Sequence, residues 1–236
     1  MIPIKTESAW RGTSDCQSCG IRAMVLFADL EQQDFESIHS PIDDLEYRPG
    51  HSLYQEGEQA LSLFTVRSGT VKLLRMTPDG QQRIVRLLRA GDVAGLEALT
   101  SATFENEAVA MTEVSVCCIP VGVIHDLSRR SPRIHAQLMK QWHHAVKQAD
   151  DWLADINFGS AARRVRQFIL KMRHTTDPEL STLFSREEMG AMMGLKLETV
   201  SREVSALSKA GVIAPMDKVG RTYRIINAAA LNADDQ

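Results

Sequence analysis

Two short stretches of this chain carry residues able to do chemistry. In "SDCQSCGIRAMV", residues 14–25, Cys16 and Cys19 stand two residues apart, the spacing of half a metal site. Only two other cysteines exist, the adjacent Cys117 and Cys118. In "GLKLETVSRE", residues 194–203, Glu198, Ser201 and Arg202 gather near the start of a predicted helix. Arginine can pair with guanine O6 and N7, and glutamate can accept from cytosine N4. Lys196, Arg221 and Arg224 flank them as cations for phosphates, which position a protein without specifying sequence. The first group points to thiolate chemistry, the second to the edges of base pairs.

The second group needs a helix to hold it. Ser185 is a good N-cap, and Glu188 three residues on completes a capping box. The helix it opens runs to about Met193, where Gly194 stops it. A second helix starts near Leu197 and reaches Gly211, a natural C′ glycine. At 100° per residue, Leu197, Val200, Val204 and Leu207 form one stripe that must be buried. Glu198, Arg202, Ser205 and Lys209 lie nearly opposite, with Ser201 at the edge. Two helices joined by a short turn containing glycine, followed by "KVGRTYRII" as a two-strand wing, make a winged helix-turn-helix pattern.

Upstream, from Ile42 to about Val121, short apolar alternations are punctuated by Gly50, Gly57, Gly69, Gly80 and Gly91. That rhythm predicts short strands in an all-β barrel or sandwich, with "TPDG" (77–80) as a hairpin turn. Pro132 suits the first turn of a helix. After it Met139, Trp142, Val146, Ala149, Leu153 and Ile156 are spaced alternately 3 and 4, a coiled-coil seam widened by Leu138, Ala145 and Trp152. A stripe this long needs a partner beyond a small barrel, which makes it a dimer helix. "NFGS" (157–160) breaks it, and "SAARRVRQFILKMRH" is amphipathic through Val165, Phe168, Ile169 and Met172.

Charge follows the same division. Residues 161–224 hold 12 Lys and Arg against 7 Asp and Glu, net +5, so the rest of the chain must carry −8 to reach the overall −3. A basic C-terminal module on an acidic body is the footprint of a nucleic-acid binder whose other part does something else. Four irregularly spaced cysteines are not a secreted disulfide framework, and "AMVLFADL" is too short to span a bilayer, so the chain reads as cytoplasmic. No Ser-His-Asp arrangement, phosphate-binding glycine loop or HExxH stands out, which argues against an enzyme.

With these pieces in order the chain resembles the CRP/FNR superfamily of bacterial transcription regulators over essentially its full length, and within it the FNR, iron–sulfur oxygen-sensing branch. "CQSC", "GDVAGLEAL", "CIP" and "GLKLETVSRE" carry the likeness. The resemblance implies an α+β chain: a cysteine-bearing segment at 1–30, a cyclic-nucleotide-binding-like β-roll at 31–128, a dimerisation helix at 129–159 and a winged helix-turn-helix at 160–236. It implies a homodimer on double-stranded DNA, Glu198, Ser201 and Arg202 reading a TTGAT–ATCAA palindrome, and RNA polymerase as a partner, touched in part by the "TPDG" hairpin. It argues against cAMP, because "TFENEAVA" puts Glu105 and Glu107 where a phosphate clamp would stand.

The resemblance also implies a 4Fe-4S cluster on Cys16, Cys19 and Cys117, since a cubane takes one ligand per iron. The family's third N-terminal cysteine is replaced here by Val25. Cys118 could complete the set, yet "VSVCCI" reads as a strand, where neighbouring side chains face opposite ways and Cys118 falls among core residues. Asp15, Asp29 or His39, or an exogenous group, are the other fourth ligands. Thiol–disulfide switching on the same cysteines, and haem on one of His51, His125, His135, His143 or His144, are competing sensor chemistries. Where oxygen sensors of the family place an acid in the dimer seam, this chain has Ala149, so pairing without the cofactor is expected to be easier.

Overall fold

The computed structural model describes residues 4–5, 26–29, 31, 42–78, 80, 82–174 and 177–232. Cys16, Cys19, Val25, Asp15 and His39 lie outside them. The chain forms two compact units, residues 1–80 with 85–147 and residues 81–84 with 148–236.

Among the described residues of the first unit, with β6 beginning at 82–84 of the second, the strands form two sheets. One has the order β1 (Ile4–Lys5), β2 (Asp43–Tyr47), β9 (Val114–Pro120), β4 (Ser62–Ser68), β7 (Val93–Ala94). The other runs β3 (Ser52–Tyr54), β8 (Glu107–Ala110), β5 (Val71–Met76), β6 (Gln82–Leu88). All five glycines of the repeating rhythm take positive φ, so they are turns, and Gly80 closes the "TPDG" hairpin by donating its N–H to the Thr77 carbonyl at 2.8 Å. Strand alternation sorts side chains into two apolar layers. Tyr54, Phe64, Val66, Leu73, Phe104, Val114 and Val116 fill one. Leu63 and Ile119, on the opposite face of the five-stranded sheet, join Leu26, Phe27, Val123, Ile124, Leu127, Ile134 and Leu138 in the other. Both faces of β4 are therefore covered, which is why its central residues are buried without interruption.

The second layer depends on helices. α1 (Val121–Arg130) follows β9 directly and buries Val123, Ile124 and Leu127. α2 (Pro132–Ile156) begins at the proline expected to open it and runs from the first unit into the second, so the division falls inside the helix. The sequence pattern does not announce α1: ten residues offer too few turns for a period to show beside the strand it continues.

The second unit packs α3 (Ala161–Lys171), α4 (Arg186–Met193), α5 (Leu197–Lys209) and α6 (Ala228–Asn232) with a three-stranded sheet. Its order is β10 (Leu180–Thr182), β12 (Thr222–Ile225), β11 (Ile213–Pro215). The two-strand wing expected from sequence is thus three strands; β10, three residues long, is too short to show an alternation. Val165, Phe168 and Ile169 of α3 are fully buried, and Phe168 meets Trp152 and Phe184 edge to face at 6.2 and 6.4 Å.

Candidate nucleic-acid interface and sensor surface

Ser185 caps α4 as the sequence requires. Its hydroxyl accepts the Glu188 N–H at 3.2 Å, and Glu188 Oε2 accepts the Ser185 N–H at 3.2 Å. Gly194 ends the helix with φ +65°, and the Arg164 guanidinium donates to the Met193 carbonyl at 3.1 Å, closing an otherwise open terminus. Gly190 marks the closest approach within the motif. A Cβ there would stand 2.5 Å from the Leu195 carbonyl oxygen, so the turn can fold against α4 only because this residue has no side chain.

α5 presents two faces. Val200 and Val204 are buried and Leu207 is half-buried. Leu197 departs from the expected stripe: it is 46% exposed. It is the first residue of the helix, and helical side chains lean toward the N-terminus, so it projects past the end of the packing surface. Glu198 and Arg202 are exposed, Ser201 is half-buried, and Ser205 and Lys209 continue the open face. The Arg202 guanidinium leans on Glu203, Nη2 to Oε1 at 3.3 Å, while remaining mostly in solvent. Lys196, just before the helix, and Arg221, in the wing, are exposed. Arg224 instead pairs with Glu179 at 3.1 Å along the sheet.

The wing is built around Asp217, a residue absent from the sequence-based candidates. Its carboxylate accepts the N–H groups of Thr222 at 2.5 Å and Arg221 at 3.1 Å. Those donors, Thr222 before Arg221, hold its pKa down at about 2. The loop so tied exposes Lys218, Val219 and Arg221. Arg186, at the start of α4, donates to Tyr223 Oη at 2.7 Å and to the Gly220 carbonyl at 3.3 Å, fastening the wing to the helical pair. An aspartate three residues before a glycine ("DKVG") was the available signal.

Along α2 the expected seam divides. Met139, Val146 and Leu153, seven residues apart, are 63%, 55% and 52% exposed, with Ala149 exposed beside them. Trp142 is half-buried and, with Leu138 and Ala145, packs into the layer on the outer face of the sheet. Ile156 is fully buried and does not belong to the open stripe.

Cys117 and Cys118 sit on β9 and face opposite ways. Cys118 packs against the layer of Tyr54 and Phe64, Cys117 against the layer of Leu26, Phe27 and Leu138. Cys118 is therefore not a partner for Cys117 at one metal site: a strand turns successive side chains apart, and the register shift in this sheet falls on β4, between Val66 and Ser68, leaving the β9 pairing at both cysteines regular. Cys117 is half-buried on the face of the sheet against which Leu26 and Phe27 pack. Asp29 is exposed and engaged by Lys140 at 2.9 Å, which lowers its pKa. Of the candidate histidines, His144 Nε2 lies 3.1 Å from Asp92 Oδ1, His135 Nε2 3.1 Å from the Ser128 carbonyl and His51 Nδ1 3.3 Å from the Arg48 carbonyl, while His125 and His143 are exposed. Among the described residues no three His, Cys, Asp or Glu side chains converge as a metal site.

Comparison with known proteins agrees with this geometry. Residues 44–131 match the cyclic nucleotide-binding domain family and residues 163–233 the Crp-like helix-turn-helix domain family. The fumarate and nitrate reduction regulatory protein of Salmonella typhi is 28% identical over 225 residues, covering 92% of this chain and 89% of that protein. Its counterpart in Escherichia coli strain K12 is 27% identical over 210 residues, 86% and 84% of the two chains. Among solved structures, FixK2 from Bradyrhizobium japonicum superposes with a TM-score of 0.72 at 25% identity, over 83% of this chain and 99% of that one. A CRP-family transcriptional regulator from Thermus thermophilus shares the fold, with a TM-score of 0.67 at 22% identity over 79% and 94% of the two chains.

Proposed function

The chain belongs to the CRP/FNR superfamily of DNA-binding transcription regulators, a family of regulators rather than enzymes, and from that premise we propose a redox-responsive homodimer that reads a TTGAT–ATCAA palindrome and is controlled by a 4Fe-4S cluster. The observation that carries the DNA half is α5: Val200 and Val204 anchor it while Glu198, Ser201 and Arg202 face outward from its first turns. That is the end a recognition helix offers to the major groove. Arg202 takes guanine, Glu198 takes cytosine N4, and the exposed Leu197 suits a thymine methyl. Lys196 and Arg221 hold phosphates on either side.

Pairing through Met139, Val146, Ala149 and Leu153 gives the two-fold axis that a palindrome requires. The recognition helices must then stand about 34 Å apart, one turn of DNA. RNA polymerase contacts the "TPDG" hairpin in this reading, and Glu105 and Glu107 disfavour cAMP in the roll.

The sensory half rests on Cys16, Cys19 and Cys117 as cluster thiolates. When bound, such a cluster supplies a change of charge and integrity on meeting oxygen or nitric oxide. The chain's own part is mechanical. Cys117 shares its apolar layer with Leu138, Trp142 and Ala145 of α2, so a change at the thiol repacks the helix that bears the dimer stripe. Disulfide exchange among Cys16, Cys19 and Cys117 is the second reading, since the same cysteines that would ligate a cluster can exchange thiol for disulfide under an oxidant.

The test is binding of the anaerobically purified chain to a TTGAT palindrome, before and after air, beside an absorption spectrum. Sequence-specific binding that changes as a broad band near 400 nm bleaches is the expected result. Indifference to the palindrome under every redox condition defeats the proposal, and a colourless protein with redox-dependent binding moves the sensor to thiols.

A further inference from the structure

The wing carries more exposed chemistry than one phosphate contact uses. Val219 is 77% exposed, more than any other large apolar side chain among the described residues. A single exposed valine is ordinary on a protein surface. This one sits between two exposed cations, Lys218 before it and Arg221 after it, at the tip of a closely tied loop. Asp217 accepts the N–H groups of Arg221 and Thr222. The Gly220 N–H donates to the Asp217 carbonyl at 3.3 Å, and the Met216 N–H to the Thr222 carbonyl at 2.8 Å. Gly220 turns the chain at φ +69°, where a side chain would be strained.

Arg186 sets where this tip stands. It opens α4, and its guanidinium donates to the Gly220 carbonyl at 3.3 Å and to Tyr223 Oη at 2.7 Å. Its Cζ lies 5.7 Å from the centre of the Tyr223 ring, a cation over an aromatic face. The wing tip is therefore fastened beside the start of α4. When the second helix of such a motif lies in a major groove, the first crosses the sugar–phosphate backbone at that groove's edge. Beyond that backbone lies a minor groove. A loop tied to α4 thus meets the base pairs adjoining the half-site, outside those that α5 reads. Minor grooves are narrow in A·T tracts, where their negative potential draws in lysine and arginine. They also accept apolar side chains.

We propose that the wing tip is a second DNA-reading surface: Lys218 and Val219 enter the minor groove adjoining each half-site and favour A·T pairs there, with Asp217 as the positioning residue that holds the loop in shape. The assignment rests on the α5 reading above and deepens it. Arg221 keeps its phosphate. A G·C pair places the guanine N2 amino group in the minor groove, in the space a valine methyl takes against A·T. A wider groove also holds a lysine less strongly.

The full-length protein is titrated, in the redox state that binds best, against duplexes that keep both TTGAT half-sites and change only the adjoining pairs to A·T, G·C or inosine·C. Inosine·C shows the A·T pattern in the minor groove and the G·C pattern in the major groove. For the parent, G·C neighbours should weaken binding about fivefold or more, the low end for one unfavourable pair, and inosine·C should restore it. Val219→Ser and Lys218→Ala alter exposed side chains, so both should unfold at the parental temperature. Each should reduce the neighbour preference while still rejecting changes inside TTGAT. Asp217→Ala should lose that preference as well, and Asp217→Asn, which retains a carbonyl oxygen as acceptor, should keep part of it. Equal affinity for all three neighbours, or inosine·C behaving as G·C, overturns the wing assignment and leaves the α5 reading intact. So does a parental preference in both Val219→Ser and Lys218→Ala. A parental preference in Asp217→Ala overturns its positioning role. A parent that does not distinguish the palindrome from unrelated duplex overturns the α5 reading, and the wing assignment with it.

Discussion

At the scale of single residues, the proposed DNA interface divides into side chains on α5 assigned to specify and flanking cations assigned to position. Arg202→Ala should cost about 1–3 kcal/mol on the preferred palindrome and relax discrimination at one base pair. Fluorescence anisotropy with single-position operator variants measures it. Lys196→Ala and Arg221→Ala should weaken all sequences alike and reduce the slope of log K against log salt by about 1 each. A loss of sequence preference in Lys196→Ala would reverse these roles. Asp217 offers a different measurement. Its pKa is lowered in the fold from the ordinary 3.8 to about 2. Its contribution is therefore complete above the ordinary value and disappears as pH falls through about 2. A carboxyl NMR titration should find that midpoint. Asp217→Ala should speed amide exchange at Thr222 and Arg221 at neutral pH, because both N–H groups lose their acceptor.

At the scale of elements, the capping box is the most local determinant. Ser185→Ala removes the acceptor for the Glu188 N–H and should cost about 1 kcal/mol, read from denaturant unfolding. Gly190→Ala should cost more, since its added carbon meets backbone rather than a movable side chain. Such features were legible in the sequence because they are short-range: Ser185 with Glu188, Gly194 as a stop, Pro132 as a start, Val200 with Val204 as one face. What was not legible depends on partners distant along the chain. β10 exists only because Leu180, Ser181 and Thr182 find Arg224, Tyr223 and Thr222. Arg186 acquires its role from Tyr223, which is not within reach of a local pattern. The seam of α2 was half legible. Its heptad positions are real, but a 3–4 repeat cannot tell which flank a neighbouring sheet will take, and Trp142 went to that sheet.

At the scale of the whole molecule, an open stripe on α2 must be covered by a second chain for a palindrome to be read. Ala149, small and uncharged, puts no like charges into that stripe. The metal-free chain should therefore sediment as a dimer at micromolar concentration. Ala149→Glu should shift it toward monomer and lower palindrome affinity, without altering the unfolding of the single chain, since the side chain is exposed. A metal-free parent that sediments as a monomer would contradict this. Among the described residues no helix is long and apolar enough to cross a membrane.

The three bare apolar positions Met139, Val146 and Leu153 bear also on gene dosage. Where two copies must meet before either grips an operator, promoter occupancy at low abundance rises with the square of the number of copies in the cell. Halving synthesis then cuts occupancy about fourfold. The rate at which the regulator is made thus becomes an input in its own right.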